Sequence, residues 1–158
     1  MKQSGAQILL QSLEKKNGIL DEMIIQNKAQ EELLKQENLD MDAFDKAIDR
    51  QSAYVEELDK LDNGFEAVYD RVRDELMHNK EQYRAEIAAM QKLIQAITDK
   101  IATLNAGNMR NKILAENQFK KQKQAIGSSV SKTKVARNYY NSMNHLNYVT
   151  PQFYDSKK

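Results

Sequence analysis

The stretch Tyr83–Leu104, YRAEIAAMQKLIQAITDKIATL, has the most regular hydrophobic pattern in the chain. Its large apolar residues recur at alternating intervals of four and three: Tyr83, Ile87, Met90, Ile94, Ile97, Ile101 and Leu104. This spacing places them along one face of an α-helix. Such a helix buries a narrow apolar seam against neighbouring helices, so the pattern predicts an all-α, coiled-coil-like fold.

Two similar seams precede this stretch. The first, in a helix predicted over about residues 3–37, consists of Ala6, Leu9, Leu13, Lys16, Leu20, Met23, Asn27, Gln30 and Leu34. The second, in a helix predicted over about residues 41–77, consists of Phe44, Ile48, Gln51, Val55, Leu58, Asp62, Phe65, Tyr69, Val72 and Leu76. A turn at residues 38–42 separates them, and Asp42 is the expected N-cap of the second helix.

A break is expected at His78–Lys80, before a third helix over about residues 79–122. The heptad rhythm crosses this point without a slip, so one continuous rod is the alternative. The break is favoured, because an unbroken rod would be about 110 Å long at 1.5 Å per residue. The fold class expected is therefore an elongated antiparallel bundle of three long helices with a short C-terminal helix or flexible tail.

The polar seam residues suggest a register for the first two helices. If facing positions sum to 78, Lys16 lies opposite Asp62, and Asn27 lies opposite Gln51. Polar seam residues are best tolerated when they pair, and they then fix the register. In this register Gly18 and Gly64 fall at nearly the same level, which predicts a shared kink or a close backbone approach.

Composition narrows the functional class. The 158 residues suit one domain, charged residues make up 30%, and cysteine is absent, so neither disulfides nor thiolate chemistry are expected. Residues 1–7 are polar, unlike a signal peptide, and no apolar run approaches the roughly 20 residues of a membrane span. A cytoplasmic protein without membrane insertion is expected.

Charge is distributed unevenly along the chain. Residues 1–109 hold 14 Lys and Arg against 21 Asp and Glu, whereas residues 110–158 hold 10 against 2. The predicted organisation is an acidic long-helix body over residues 1–124, a linker over residues 125–131 around Gly127–Ser129, and a basic tail over residues 132–158. Residues 132–146 can form an amphipathic helix whose apolar face is Val135, Tyr139, Met143 and Leu146.

Two segments are candidate binding surfaces. The basic and aromatic tail suits nucleic acid, suits a partner helix equally well, or can fold back on the acidic body. Asn105, Asn108 and Asn111 follow the third seam, either as a helix end that frays or as an exposed polar patch for a partner. Catalysis has little support, because His78 and His145 are the only histidines and no titratable cluster has metal-ligand spacing. No cofactor and no metal are expected.

Several stretches resemble the FlgN-type flagellar export chaperones. They are Asn38–Phe44 (NLDMDAF) opening the second helix, Leu58–Asp62 (LDKLD) within it, the end of the third helix from Ile97 to Asn111, and Tyr139–Asn144 (YYNSMN). The resemblance covers about two thirds of the chain, although the basic tail and the Gly-Ser-Ser linker depart from the family pattern.

The resemblance implies a cytoplasmic chaperone that holds the terminal helices of hook–filament junction proteins by helix–helix packing and delivers them to the export gate. In that family the C-terminal region binds the substrate. By position, this role would fall here to Val135, Tyr139, Tyr140, Met143 and Leu146.

Two other classes remain open. A structural or adaptor coiled coil of an export apparatus would form a rod whose tail is dispensable. A protein that binds nucleic acid through the tail would lose affinity steeply with salt. The acidic body argues against nucleic acid, because it would repel phosphates next to the tail.

Overall fold

Three long helices make up most of the computed structural model, which describes residues 4–126 and 135–141. They are α1 (Gly5–Leu34), α2 (Met41–His78) and α3 (Arg84–Ile126), and a short helix α4 follows at residues 135–141. α2 runs antiparallel to α1, and α3 returns parallel to α1, so that α1 packs closely against both. The predicted all-α bundle of three long helices with a short C-terminal helix is therefore confirmed.

The ends of the helices follow from local hydrogen bonds. Ser4 caps α1 through a reciprocal capping box with Gln7. Asp40, and not Asp42 as predicted, is the N-cap of α2, because its carboxylate accepts the Ala43 N–H at 3.1 Å. Asp42 lies in the first turn, where its negative charge interacts favourably with the positive end of the helix dipole.

The expected break between the second and third helices is present, and the continuous-rod alternative is wrong. α2 ends at His78, and the chain turns through residues 79–83. The Asn79 side chain donates to the Glu75 carbonyl at 3.0 Å and so satisfies one of the last carbonyls of α2. α3 starts at Arg84, later than predicted, and continues to Ile126, beyond the predicted end.

The core consists of two apolar clusters separated by polar side chains. The larger lies toward the start of α1 and contains Ala6, Leu9, Leu13, Leu20, Met23, Val55, Leu58, Leu76, Met90, Ile94, Ile97, Ile101 and Leu104. The smaller lies at the opposite end of the bundle and contains Leu34, Leu39, Phe44, Ile48, Ala115, Val135 and Tyr139. Between them lie the buried amide side chains of Asn27, Gln30, Gln51, Asn108 and Asn111.

The predicted register of α1 and α2 holds at its charged pair. Lys16 Nζ lies 2.7 Å from Asp62 Oδ1, and Lys16 is buried. The predicted pairing of Asn27 with Gln51 is wrong. Gln51 instead accepts a hydrogen bond from Gln30, one turn further along α1, and Asn27 turns toward α3. A seam shared by three helices offers a polar residue two neighbours, which the comparison of two seams overlooked.

The glycine prediction also fails at the expected positions. A Cβ at Gly18 or Gly64 would have no atom within 4 Å, and α1 and α2 are helical throughout these positions. The close approaches occur elsewhere. A Cβ at Gly5 would overlap Val72, and a Cβ at Gly107 would overlap the Asn27 side chain. The glycines that matter for packing are therefore those at Gly5 and Gly107.

Candidate helix-binding site

The smaller core cluster is a cleft that α4 fills. Its walls come from the end of α1, the following turn, the start of α2 and the last third of α3: Leu34, Leu39, Phe44, Ile48, Ala115 and Phe119. From α4, Val135 is 7% exposed and Tyr139 is fully buried. These two residues are one helical turn apart, so a single face of α4 enters the cleft. We call this arrangement the α4 cleft.

Aromatic rings form the floor of the α4 cleft. The ring centroid of Tyr139 lies 5.5 Å from that of Phe44 and 6.2 Å from that of Phe119. Tyr140, which is partly buried, meets Phe119 edge-on at 6.4 Å. Tilted and edge-on pairs at these distances are the favoured aromatic geometries. The site is thus built to hold large, flat apolar side chains from a helix.

The rim of the α4 cleft is acidic. The start of α2 contributes Asp45 and Asp49 to it. Asn138 of α4 reaches this rim, and its Nδ2 donates to Asp45 Oδ1 at 3.2 Å, with Asp49 Oδ1 at 3.4 Å. Amide and cationic side chains of a docking helix are therefore favoured on this side.

One polar atom inside the α4 cleft is not satisfied. The Tyr139 hydroxyl is buried and finds no hydrogen-bond partner within the described residues. Burial raises the pKa of Tyr139, with smaller contributions from Tyr140 and Glu116. A buried hydroxyl without a partner destabilises its site by about 1–3 kcal/mol. The docked position of α4 is therefore less stable than its ring packing alone would make it.

A polar layer lies beneath the α4 cleft. Asn27 Nδ2 donates to Asn108 Oδ1 at 2.7 Å, and Asn111 Nδ2 donates to the Asn27 carbonyl at 3.0 Å. Gly107 provides the space for Asn27. Asn108 and Asn111 are thus buried, and neither the frayed end nor the exposed patch expected for them is present. Asn105 does lie on the surface.

A signal for this layer was present in the sequence. The alternating intervals continue from Leu104 through Asn108, Asn111, Ala115 and Gln118, so the seam does not end at Leu104. Gln118 was missed for the same reason. Its Nε2 donates to the carbonyls of Leu34 at 2.9 Å and of Gln36 at 2.6 Å, which secures the end of α1 beside the α4 cleft.

The predicted binding residues fall into three groups. Val135, Tyr139 and Tyr140 meet in the α4 cleft, whereas Asn105 and Asn108 lie on α3, on its surface and in the polar layer. Met143, Leu146, His145 and the predicted linker from Gly127 onward lie outside the described residues. That these residues bind a partner stays a prediction.

Sites of other kinds are not evident in the described part of the chain. No group of three or more His, Asp or Glu side chains there can hold a metal ion. The His78 ring lies at the exposed end of α2, where its Nδ1 contacts the Asp74 carbonyl at 2.6 Å. Within residues 4–126 and 135–141, no helix is long and apolar enough to cross a membrane.

Comparisons with protein-family models, with curated proteins and with solved structures give no match to this chain. Its function is therefore inferred from the α4 cleft together with the pattern of its sequence.

Proposed function

We propose that this chain is a chaperone of the FlgN type, which binds the terminal helices of hook–filament junction proteins in the cytoplasm and keeps them soluble before export. The observation that carries the proposal is the α4 cleft, which holds an amphipathic helix by one apolar face. The apolar face of α4, with Val135 and Tyr139, is a surface against which a helix of another protein can pack in place of the body. The proposal assigns the chain no catalytic step.

Binding proceeds by exchange of helices. When α4 leaves, its Val135 and Tyr139 become available, and so do the rings of Phe44 and Phe119 on the body. A partner helix buries its own apolar stripe against the released face of α4, because a helix with such a stripe is stable only when the stripe is covered. Bound substrate is then withdrawn from aggregation by mass action.

The docked α4 serves the chaperone when no substrate is present. Without α4, the aromatic floor of the cleft would be an exposed apolar patch, and such patches promote association. With α4 docked, the patch is covered, yet the orphan Tyr139 hydroxyl keeps the docked state from being too stable. The hydrogen bond from Asn138 to Asp45 also holds α4 at the rim of the cleft.

Binding of nucleic acid by the same tail is a hypothesis with less support than binding of a partner helix. Bases bind single-stranded-nucleic-acid proteins by stacking on exposed aromatic faces. Here Tyr139 is fully buried and Tyr140 is packed edge-on against Phe119. The acidic rim formed by Asp45 and Asp49 beside α4 also repels phosphates.

The test is a calorimetric titration with the terminal helical segment of a hook–filament junction protein. The intact chain is compared with a chain ending at Gln124 and with the double variant Tyr139→Ala, Met143→Ala. If these side chains are anchors, the double variant weakens binding by about 2–4 kcal/mol. Arg137→Ala is the matched control, because Arg137 is exposed on α4.

Three outcomes are decisive. Loss of binding in the truncated chain and the double variant, with Arg137→Ala unchanged, supports the proposal. Equal binding by all chains removes the tail from the mechanism and moves the site to the body, near Asn105. Absence of binding to the protein segment, with salt-sensitive binding to single-stranded nucleic acid, would replace the proposal by the nucleic-acid reading.

A further inference from the structure

A second surface, independent of the α4 cleft, runs along the groove between α1 and α2. Partly buried apolar side chains line its floor, among them Ile19, Tyr54 and Phe65. Gly18 and Gly64 open the groove, since a Cβ at either would meet nothing within 4 Å. We call this surface the α1–α2 groove.

Four exposed charged side chains lie along the α1–α2 groove, with the positive charges separated from the negative ones. Lys15 and Lys60 lie toward one end, and Glu22 and Glu57 lie toward the other. None of the four forms an ion pair within the described residues. The groove is therefore positive at one end and negative at the other, with both charges left for an outside partner.

This order makes the groove complementary to itself. We propose that a second copy of this chain packs on the α1–α2 groove, antiparallel, about a twofold axis near Gly18. In this arrangement α1 lies over α1 of the second copy, and α2 lies over α2. Lys15 then faces Glu22 of the second copy, and Lys60 faces Glu57 of the second copy, each twice because the interface is isologous.

The two helices place the axis at the same level. On α1 the midpoint between Lys15 and Glu22 falls between Gly18 and Ile19. On α2 the midpoint between Glu57 and Lys60 falls between Leu58 and Asp59. In the register fixed by the Lys16–Asp62 ion pair, these midpoints differ by about one residue, or about 1.5 Å along the helix axis.

The same twofold axis also brings large side chains opposite glycines. Ile19 faces Gly18 of the second copy, and Tyr54 faces Gly64 of the second copy. Each large side chain thus meets a position where the structure leaves open space. The parallel alternative is disfavoured, because stacking α1 over α2 of the second copy at equal levels would bring Lys15 close to Lys60 of that copy.

The size of the patch sets the strength of the dimer. From Ile8 on α1 to the level of Tyr54 on α2 the groove extends about 24 Å, and two helices side by side are about 20 Å wide. About 500 Å² of each copy is then covered, or about 1,000 Å² in total, which is near the lower limit for a specific interface. The dimer is accordingly weak and concentration-dependent.

The dimer leaves both α4 clefts accessible. Phe44 lies at the level of Leu34, some 15 residues from the proposed axis, so each cleft is about 22 Å from it. The two clefts therefore lie at opposite ends of the dimer. The inference does not rest on the proposed chaperone function, because the charges and glycines of the groove are independent of α4.

The test is sedimentation equilibrium of the full chain and of charge-reversed variants. Lys15→Glu alone and Glu22→Lys alone each place like charges opposite one another twice, so both are expected to weaken self-association at least tenfold. An equimolar mixture of the two variants restores both pairs and should form a heterodimer. Lys28→Glu, an exposed change outside the groove, is the matched control and should associate like the unaltered chain.

Circular dichroism checks that every variant remains helical. A heterodimer from the mixture, with each single variant monomeric, supports the proposal. A monomeric unaltered chain at all concentrations overturns it and leaves the groove for a helix of another protein. Association that Lys15→Glu and Glu22→Lys do not change overturns it as well, because the contact would then lie on another face.

Discussion

Replacing Tyr139 by phenylalanine tests the balance between the docked and open states of α4. The ring of Tyr139 is fully buried between Phe44 and Phe119, and its hydroxyl has no partner in the described part of the chain. Tyr139→Phe keeps the ring and removes the orphan hydroxyl. Since an unsatisfied buried group destabilises by about 1–3 kcal/mol, the docked state gains a comparable amount.

That gain lowers the fraction of open molecules, because about 1.4 kcal/mol changes an equilibrium constant tenfold. Tyr139→Phe should therefore reduce the open fraction by about 5- to 150-fold, and the apparent affinity for a partner helix should fall by the same factor. Hydrogen exchange of the peptide containing residues 135–141 measures the first effect, and calorimetric titration measures the second.

Tyr140→Phe is the matched control, because Tyr140 is only partly buried. It should change neither quantity by more than about 0.5 kcal/mol. Faster exchange in Tyr139→Phe, or binding as tight as that of the unaltered chain, would refute the reasoning that links the orphan hydroxyl to opening of α4.

Three further outcomes follow from the described contacts. Gly107→Ala should lower the free energy of unfolding in urea by about 1–3 kcal/mol, because the new methyl group overlaps a buried side chain, whereas Gly64→Ala should raise it by about 0.5–1 kcal/mol. Asp62→Ala should destabilise by about 1–3 kcal/mol, since it strands the buried Lys16 ammonium, while Lys16→Met should be nearly neutral by the same urea assay. Burial raises the pKa of Tyr139, so docking of α4 is at full strength below the ordinary tyrosine pKa of about 10 and weakens by about 1.4 kcal/mol per pH unit above it. A difference titration of tyrosinate absorbance against Tyr139→Phe measures this, and a Tyr139 that ionises at the ordinary value would contradict it.

The helices and the main register could be predicted from the sequence because one periodicity decides both. The seam residues of α1 from Ala6 to Leu34 are all buried, and Lys16 meets Asp62 as expected. The N-cap of α2 was misplaced because Asp40 and Asp42 are equally good capping residues. Only the position of the Ala43 N–H distinguishes them.

The candidate site could be predicted only in part. The apolar spacing of Val135 and Tyr139 indicated a binding face, but periodicity does not tell which surface such a face covers. Periodicity also does not tell which partner a polar seam residue takes. Asn27 had candidate partners on α2 and α3, and it bonds to Asn108 on α3. Three-helix packing decides both questions, and the sequence carries no direct record of it.

The most direct test of the central claim is to lock α4 in its cleft. The chain has no cysteine, so Asn138→Cys with Asp45→Cys gives one defined pair of thiols where the two side chains now meet. A short bis-thiosulfonate cross-linker joins α4 to α2, and dithiothreitol releases it. We expect the cross-linked chain not to bind the terminal helix of a junction protein, and the same sample to bind after reduction. Equal binding before and after reduction would contradict the account, because the partner would then not require α4 to leave its cleft.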